Sequence, residues 1–169
     1  EVIFYETEDG TKPAYDFIET LSPKMQAKIY KIASMLEIDG TRLRLPYSEF
    51  LKDGIFQIRA QQEGNISRVL YFFAIGKKII LTNGFTKKTL KTPPGEEIPG
   101  RLRAKGGSKI MLTLNDAIAK KMEDPEFKAE WDALEPEFQI IRAIIEGREE
   151  NDFTQAQLAQ ATGIHQADI

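Results

Sequence analysis

Ile55-Phe56-Gln57-Ile58-Arg59-Ala60, Arg68-Val69-Leu70-Tyr71-Phe72-Phe73-Ala74 and Ile79-Ile80-Leu81-Thr82-Asn83-Gly84-Phe85 decide the fold. All three runs have strand length and are rich in Ile, Val, Phe and Tyr. Glu63-Gly64-Asn65 and Gly76-Lys77-Lys78 join them, connectors short enough for hairpins, so the runs predict an antiparallel meander. Side chains alternate across a strand, which puts Arg68, Leu70 and Phe72 on one face and Tyr71 and Phe73 on the other. The second face of the sheet is therefore expected to be partly polar.

Upstream the period is helical. Val2-Ile3-Phe4-Tyr5 is a short strand ended by the turn Glu8-Asp9-Gly10. Pro13 suits the first turn of a helix carrying Ala14, Phe17, Ile18 and Leu21. Ser22-Pro23 opens a second helix, with serine as N-cap, and Met25, Ile29, Ile32, Ala33 and Leu36 mark its buried stripe. Asp39-Gly40 ends it. Two helices must cover one face of the sheet, and the class is α+β.

Residues 92–110 break both periods with Thr92-Pro93-Pro94-Gly95, Pro99-Gly100 and Gly106-Gly107-Ser108, a linker composition. Met111 behind it reads as a start residue, and a natural fusion and an engineered joint both stay open. The expected boundaries are 1–98 for the first unit, 99–110 for the linker and 111–169 for an all-α unit. There Asn115 caps one helix, Asp124-Pro125 opens another with Phe127 and Trp131, and Pro136 starts a third ending at Glu146-Gly147. Thr154-Gln155-Ala156-Gln157 is a capping box, its helix stops at Gly163, and the next begins at His165.

Charge divides the same way. Residues 1–105 hold 17 Lys and Arg against 13 Asp and Glu (+4), residues 106–169 hold 6 against 13 (−7), and the whole chain is −3. A basic surface attracts polyanions such as RNA, and an acidic segment on the same chain competes with them. The helices bearing Phe127, Trp131 and Phe138 are expected to dock on the first unit, with Asp116, Glu123, Asp124, Glu126 and Glu130 facing basic groups. With no cysteine there is no disulfide framework. No apolar run reaches the roughly 18 residues of a membrane span, which fits a cytoplasmic chain.

Phe153-Thr154-Gln155-Ala156-Gln157-Leu158-Ala159-Gln160-Ala161-Thr162-Gly163-Ile164 has the capped helix, glycine turn and following apolar residue of a helix-turn-helix. It resembles the Xre/Cro-type DNA-binding domain of HigA-like antitoxins. The resemblance implies operator DNA as partner and Gln155, His165 and Gln166 as DNA-contacting residues. The sequence given ends at Ile169, inside the recognition helix, so operator binding is expected of the complete antitoxin.

Leu51-Lys52-Asp53-Gly54-Ile55-Phe56-Gln57-Ile58-Arg59, Arg68-Val69-Leu70-Tyr71-Phe72 and Asn83-Gly84-Phe85-Thr86-Lys87-Lys88-Thr89-Leu90-Lys91-Thr92-Pro93 are the second signal. Over residues 1–98 they resemble the phage-derived branch of the RelE/HigB toxin family. This implies cleavage of mRNA in the ribosomal decoding site, a homo-oligomer, and neutralisation by antitoxin in cis or in trans. The residues suit that chemistry. Attack of a 2′-hydroxyl on its neighbouring phosphate needs orientation, charge neutralisation and proton movement. Arg59 and Arg68 on adjacent strands can hold a phosphate bidentately, with Lys87 and Lys88 beside them and Tyr71 as a proton donor. Phe85 can stack on a base, and Lys52 and Lys91 add RNA contacts.

The only histidine, His165, lies outside the first unit, so a His-His ribonuclease mechanism is excluded there. No metal or other cofactor is expected. Lys, Arg and Tyr are poorly matched to proton transfer at neutral pH, so the site is expected to depend on the ribosome to arrange its substrate. A competing reading is a DNA-binding repressor whose N-terminal half is a non-catalytic co-regulator.

Overall fold

The structure, a computed structural model, describes residues 1–86 and 111–165. Strand β1 (Val2–Phe4) is followed by helices α1 (Pro13–Glu19) and α2 (Pro23–Asp39) and a single 3-10 turn, Gly40–Arg42. Then come β2 (Ser48–Lys52), β3 (Ile55–Gln62), β4 (Asn65–Ala74) and β5 (Lys78–Thr86). Helices α3 (Leu114–Lys121), α4 (Pro125–Glu150) and α5 (Gln155–Thr162) complete the described chain.

The sheet order is β1-β5-β4-β3-β2. The three expected strands are present, each slightly longer than its apolar run, and pair antiparallel. Two features depart from the expected antiparallel meander, one in direction and one in strand number. β1 lies parallel to β5, with Ile3 opposite Ile80, so the sheet is mixed. β2 is a strand the sequence reading missed, because Ser48-Glu49-Phe50-Leu51-Lys52 is short and its alternation is broken by a bulge between Phe50 and Lys52.

Alternation then sorts the side chains. Ile58, Ala60, Val69, Tyr71 and Leu81 point into the core shared with α1 and α2. Gly84 allows α1 to approach, since a Cβ there would fall 2.1 Å from the Phe17 ring. Helix α2 starts and stops as expected, with Ser22 Oγ accepting from the Met25 amide and Gly40 at φ 56° closing it. Its burial goes well beyond one stripe: Gln26, Ala27, Tyr30 and Lys31 are buried as well as Ile29 and Ile32. A helix buried this widely needs cover on two sides. Here the sheet supplies one cover and α4 the other.

The second cover corrects the reading of residues 125–147. Pro136 does not start a helix and Gly147 does not end one; both lie inside the 26-residue α4. A proline removes one N–H from the ladder and is tolerated where packing holds the helix together. Leu134, Phe138, Ile141 and Ile145, buried on either side of it, provide that packing. Thr113, not Asn115, caps α3, because its Oγ1 accepts from the Asp116 amide and Asp116 bonds back to Thr113. The residues between 86 and 111, which hold the expected linker, lie outside the described set.

One apolar core runs through both segments, joining Phe4, Tyr30 and Ile58 to Leu114, Phe127 and Phe138. Phe127 meets Tyr30 edge-on at 5.9 Å. Lys31, 3% exposed, places its ammonium 2.5 Å from Glu135 and 4.0 Å from the centre of the Trp131 ring. Lys31 and Arg142 together hold the Glu135 carboxyl below the usual carboxylate range. Lys28–Glu137 and Arg42–Glu149 add ion pairs in the same direction, basic on the N-terminal segment and acidic on α4. The acids that pair are thus Glu135, Glu137 and Glu149. Asp116 and Asp124, expected to face basic groups, instead cap their own helices.

Shared burial makes the two segments unfold together. In urea, fluorescence of Trp131, the only tryptophan, and circular dichroism of the whole chain should give coincident transitions. Phe138→Ala should lower both midpoints together, by an unfolding free energy of about 3–5 kcal/mol, the cost of a core cavity. Separate transitions would contradict the shared core.

Candidate functional site

The face of the sheet turned away from α1 and α2 carries a polar row. Arg59 on β3 sits directly opposite Arg68 on β4, and Arg68 directly opposite Phe85 on β5. The adjacent row is Glu49, Gln57, Leu70 and Asn83 across β2, β3, β4 and β5. Strand register alone thus brings two guanidiniums and one carboxylate together.

Hydrogen bonding distinguishes the two arginines. Glu49 Oε2 accepts from Arg59 Nη1 at 2.7 Å and from Gln57 Nε2 at 2.7 Å. Among the described residues no carboxylate bonds Arg68 in this way. Its Nη1 donates to the Ser67 carbonyl at 3.0 Å, and its Nε is buried with no hydrogen-bond partner among the described residues. Only 6% of Arg68 is exposed. Burial, and then the like charge of Arg59, hold its guanidinium below the usual arginine range. A buried cation with an unsatisfied donor is costly and needs an explanation. Two guanidiniums against one carboxylate leave a surplus of one positive charge, which suits a phosphate oxygen.

Tyr71 does not join this group. It stacks on Phe56 in the opposite face, with centroids 5.4 Å apart, and shares a 2.6 Å hydrogen bond with Ser48 Oγ. Burial raises its hydroxyl above the usual tyrosine range. Phe85 lies beside Arg68 but is 6% exposed, so its ring is packed away from solvent. Lys52 is exposed at the end of β2, opposite Ile55. Lys87, Lys88 and Lys91 lie outside the described residues. On the C-terminal segment, Gln155 donates through Nε2 to the Leu45 carbonyl at 2.7 Å, His165 is exposed, and Gln166 is outside the described residues. Thr154 and Gln157 make the expected capping box, and Gly163 closes α5 in the left-handed region.

Sequence reasoning missed Glu49 and Gln57. Glu49 lies on the unrecognised β2, and nothing local distinguishes it from a loop acid. Its role is visible only once β2 is registered on β3. Among the described residues no group of three or more His, Cys, Asp or Glu is placed to hold a metal ion, and no helix is long and apolar enough to cross a membrane.

With this geometry in place, comparison with known proteins gives one result. Residues 16–99 match the phage-derived Gp49-like protein family (DUF891). The matched stretch takes in Glu49, Arg59 and Arg68. No curated protein matches the chain.

A buried guanidinium kept for function should cost stability. Arg68→Met replaces it with an apolar side chain of similar reach and should raise the unfolding free energy in urea by about 1–2 kcal/mol. A fall of that size would instead identify Arg68 as a structural ion.

Proposed function

We propose that the Gp49-like segment is a ribosome-dependent mRNA endoribonuclease that inhibits translation in the cytoplasm, and that the segment from residue 111 is its neutralising antitoxin. The observation that carries this reading is the buried, unpartnered Nε of Arg68 beside Arg59. Such a pair grips one phosphate through parallel N–H···O bonds and neutralises the charge that builds on it. Lys52, Lys87, Lys88 and Lys91 add sequence-independent attraction for the strand.

The chemistry follows from the group. The 2′-oxygen attacks the neighbouring phosphorus, the bond to the 5′-oxygen breaks, and the products are a 2′,3′-cyclic phosphate and a 5′-hydroxyl. Glu49, bound to Arg59, is the carboxylate on this face that can accept the 2′-hydroxyl proton. Tyr71, in the opposite face, is not placed to return one to the leaving oxygen, and that proton comes from solvent or the ribosome. A weak isolated site of this kind relies on the ribosome to present the strand.

A second role rests on a separate observation. The Thr154–Gln157 capping box and the Gly163 cap build the first helix and turn of a helix-turn-helix, which favours operator binding by the complete antitoxin.

The test is expression of residues 1–105, with residues 111–169 supplied separately. Growth arrest, relieved by the second piece, and discrete primer-extension stops on ribosome-bound mRNA are expected. Arg59→Ala with Arg68→Ala should abolish the stops. Indifferent growth and intact mRNA, with the 1–105 fragment shown to be folded by circular dichroism, would leave the repressor reading in their place.

A further inference from the structure

Residues 42–47 connect α2 to β2, and the C-terminal helices hold them at three points. Glu149 near the end of α4 accepts from Arg42 Nη1 at 2.6 Å. Gln155 at the start of α5 donates to the Leu45 carbonyl at 2.7 Å. The buried Phe138 ring of α4 lies 6.4 Å from the Tyr47 ring at a tilt of 43°. An ion pair, a hydrogen bond to backbone and an aromatic contact thus grip one short stretch of chain.

That stretch leads straight into the polar face of the sheet. The Arg59 amide donates to the Tyr47 carbonyl at 2.8 Å. Tyr47 and Ser48 amides donate back to the Arg44 carbonyl at 3.1 and 3.0 Å, which makes the stretch a closed turn. Ser48 Oγ is anchored on the Tyr71 hydroxyl. Two residues past Tyr47 stands Glu49, whose carboxylate holds both Arg59 and Gln57. A rigid turn gripped at one end and hydrogen-bonded into β3 at the other transmits displacement, because it has no slack to absorb it.

We infer that α4 and α5 act as a clamp on the site: by gripping residues 42–47 they fix the start of β2 and thereby the Glu49–Arg59 pair. Phe138, Glu149 and Gln155 are positioning residues. Docking or release of the C-terminal segment is then felt at Arg59 through the backbone of the turn. As regulation of an RNA site, the inference rests on the function proposed above; the mechanical coupling does not.

The test separates the two. In the full-length chain, Glu149→Gln with Gln155→Ala removes two exposed grips and leaves the core intact. Phe138→Leu keeps an apolar side chain in place of the third, and Phe127→Leu serves as a core control away from the turn. Amide hydrogen exchange is followed at Arg59, whose N–H reports the Tyr47 carbonyl, and along β4 as reference. The clamp predicts that the Glu149/Gln155 variant speeds exchange at Arg59 about tenfold and leaves β4 unchanged, with Phe138→Leu acting in the same direction and Phe127→Leu sparing Arg59. Rescue by Gln155→Asn, which keeps an amide donor, should be partial. Equal acceleration at Arg59 and β4, or none at either, overturns the inference. Should exchange at Arg59 respond while the wild-type segment cuts no mRNA, the clamp stands and the nuclease reading falls.

Discussion

Burial of α2 on both sides is the constraint on which the rest of the structure depends. A helix that hides Gln26 and Lys31 along with its apolar stripe leaves little more than Lys24 and Ile38 to water. The sheet must therefore present its apolar side chains, Ile58, Val69, Tyr71 and Leu81, to α1 and α2. Alternation then sends Arg59, Arg68, Glu49 and Gln57 to the other face, whatever else the sequence prefers. The same constraint recruits Phe127 and Phe138 as the outer cover. Site and C-terminal segment thus lie on opposite sides of one helix, and neither is independent of the core.

The two buried cations are treated differently by this arrangement. Lys31 is deeply buried and fully provided for by Glu135 and the Trp131 ring, so it locks α4 in place. Arg68 is similarly buried and, among the described residues, is given a single backbone carbonyl. The contrast between two buried cations in one small fold is what supports the proposal that Lys31 serves the fold and Arg68 a ligand. The uneven charge of the two segments has a matching expression in Lys28–Glu137, Lys31–Glu135 and Arg42–Glu149, although Lys121–Glu19 runs the opposite way.

Much of this was legible in the residues. The three long strands follow from β-branched and aromatic runs, and Ser22-Pro23, Asp39-Gly40 and Thr154–Gln157 mark helix ends where local chemistry decides them. Alternation already separated Arg68 from Tyr71. What failed were the features set by tertiary contact. β2 is held by its pairing to β3 rather than by its own propensity, and Glu49 was hidden with it. Pro136 looks like a helix start because its local preference is strong, yet burial of Leu134 and Phe138 overrides it. The parallel neighbour of β1 could not be read from local pattern, since hairpin logic concerns adjacent strands alone.

The most direct measurement follows the Arg68 side chain itself by nitrogen-detected magnetic resonance of the full-length chain. Its probe is a short RNA carrying 2′-O-methyl groups, which binds but cannot be cleaved. If Arg68 grips phosphate, its Nε–H resonance should shift and exchange more slowly as RNA is added, with the Arg59 signal moving alongside it. RNA that binds while both guanidinium signals stay where they were would contradict the account.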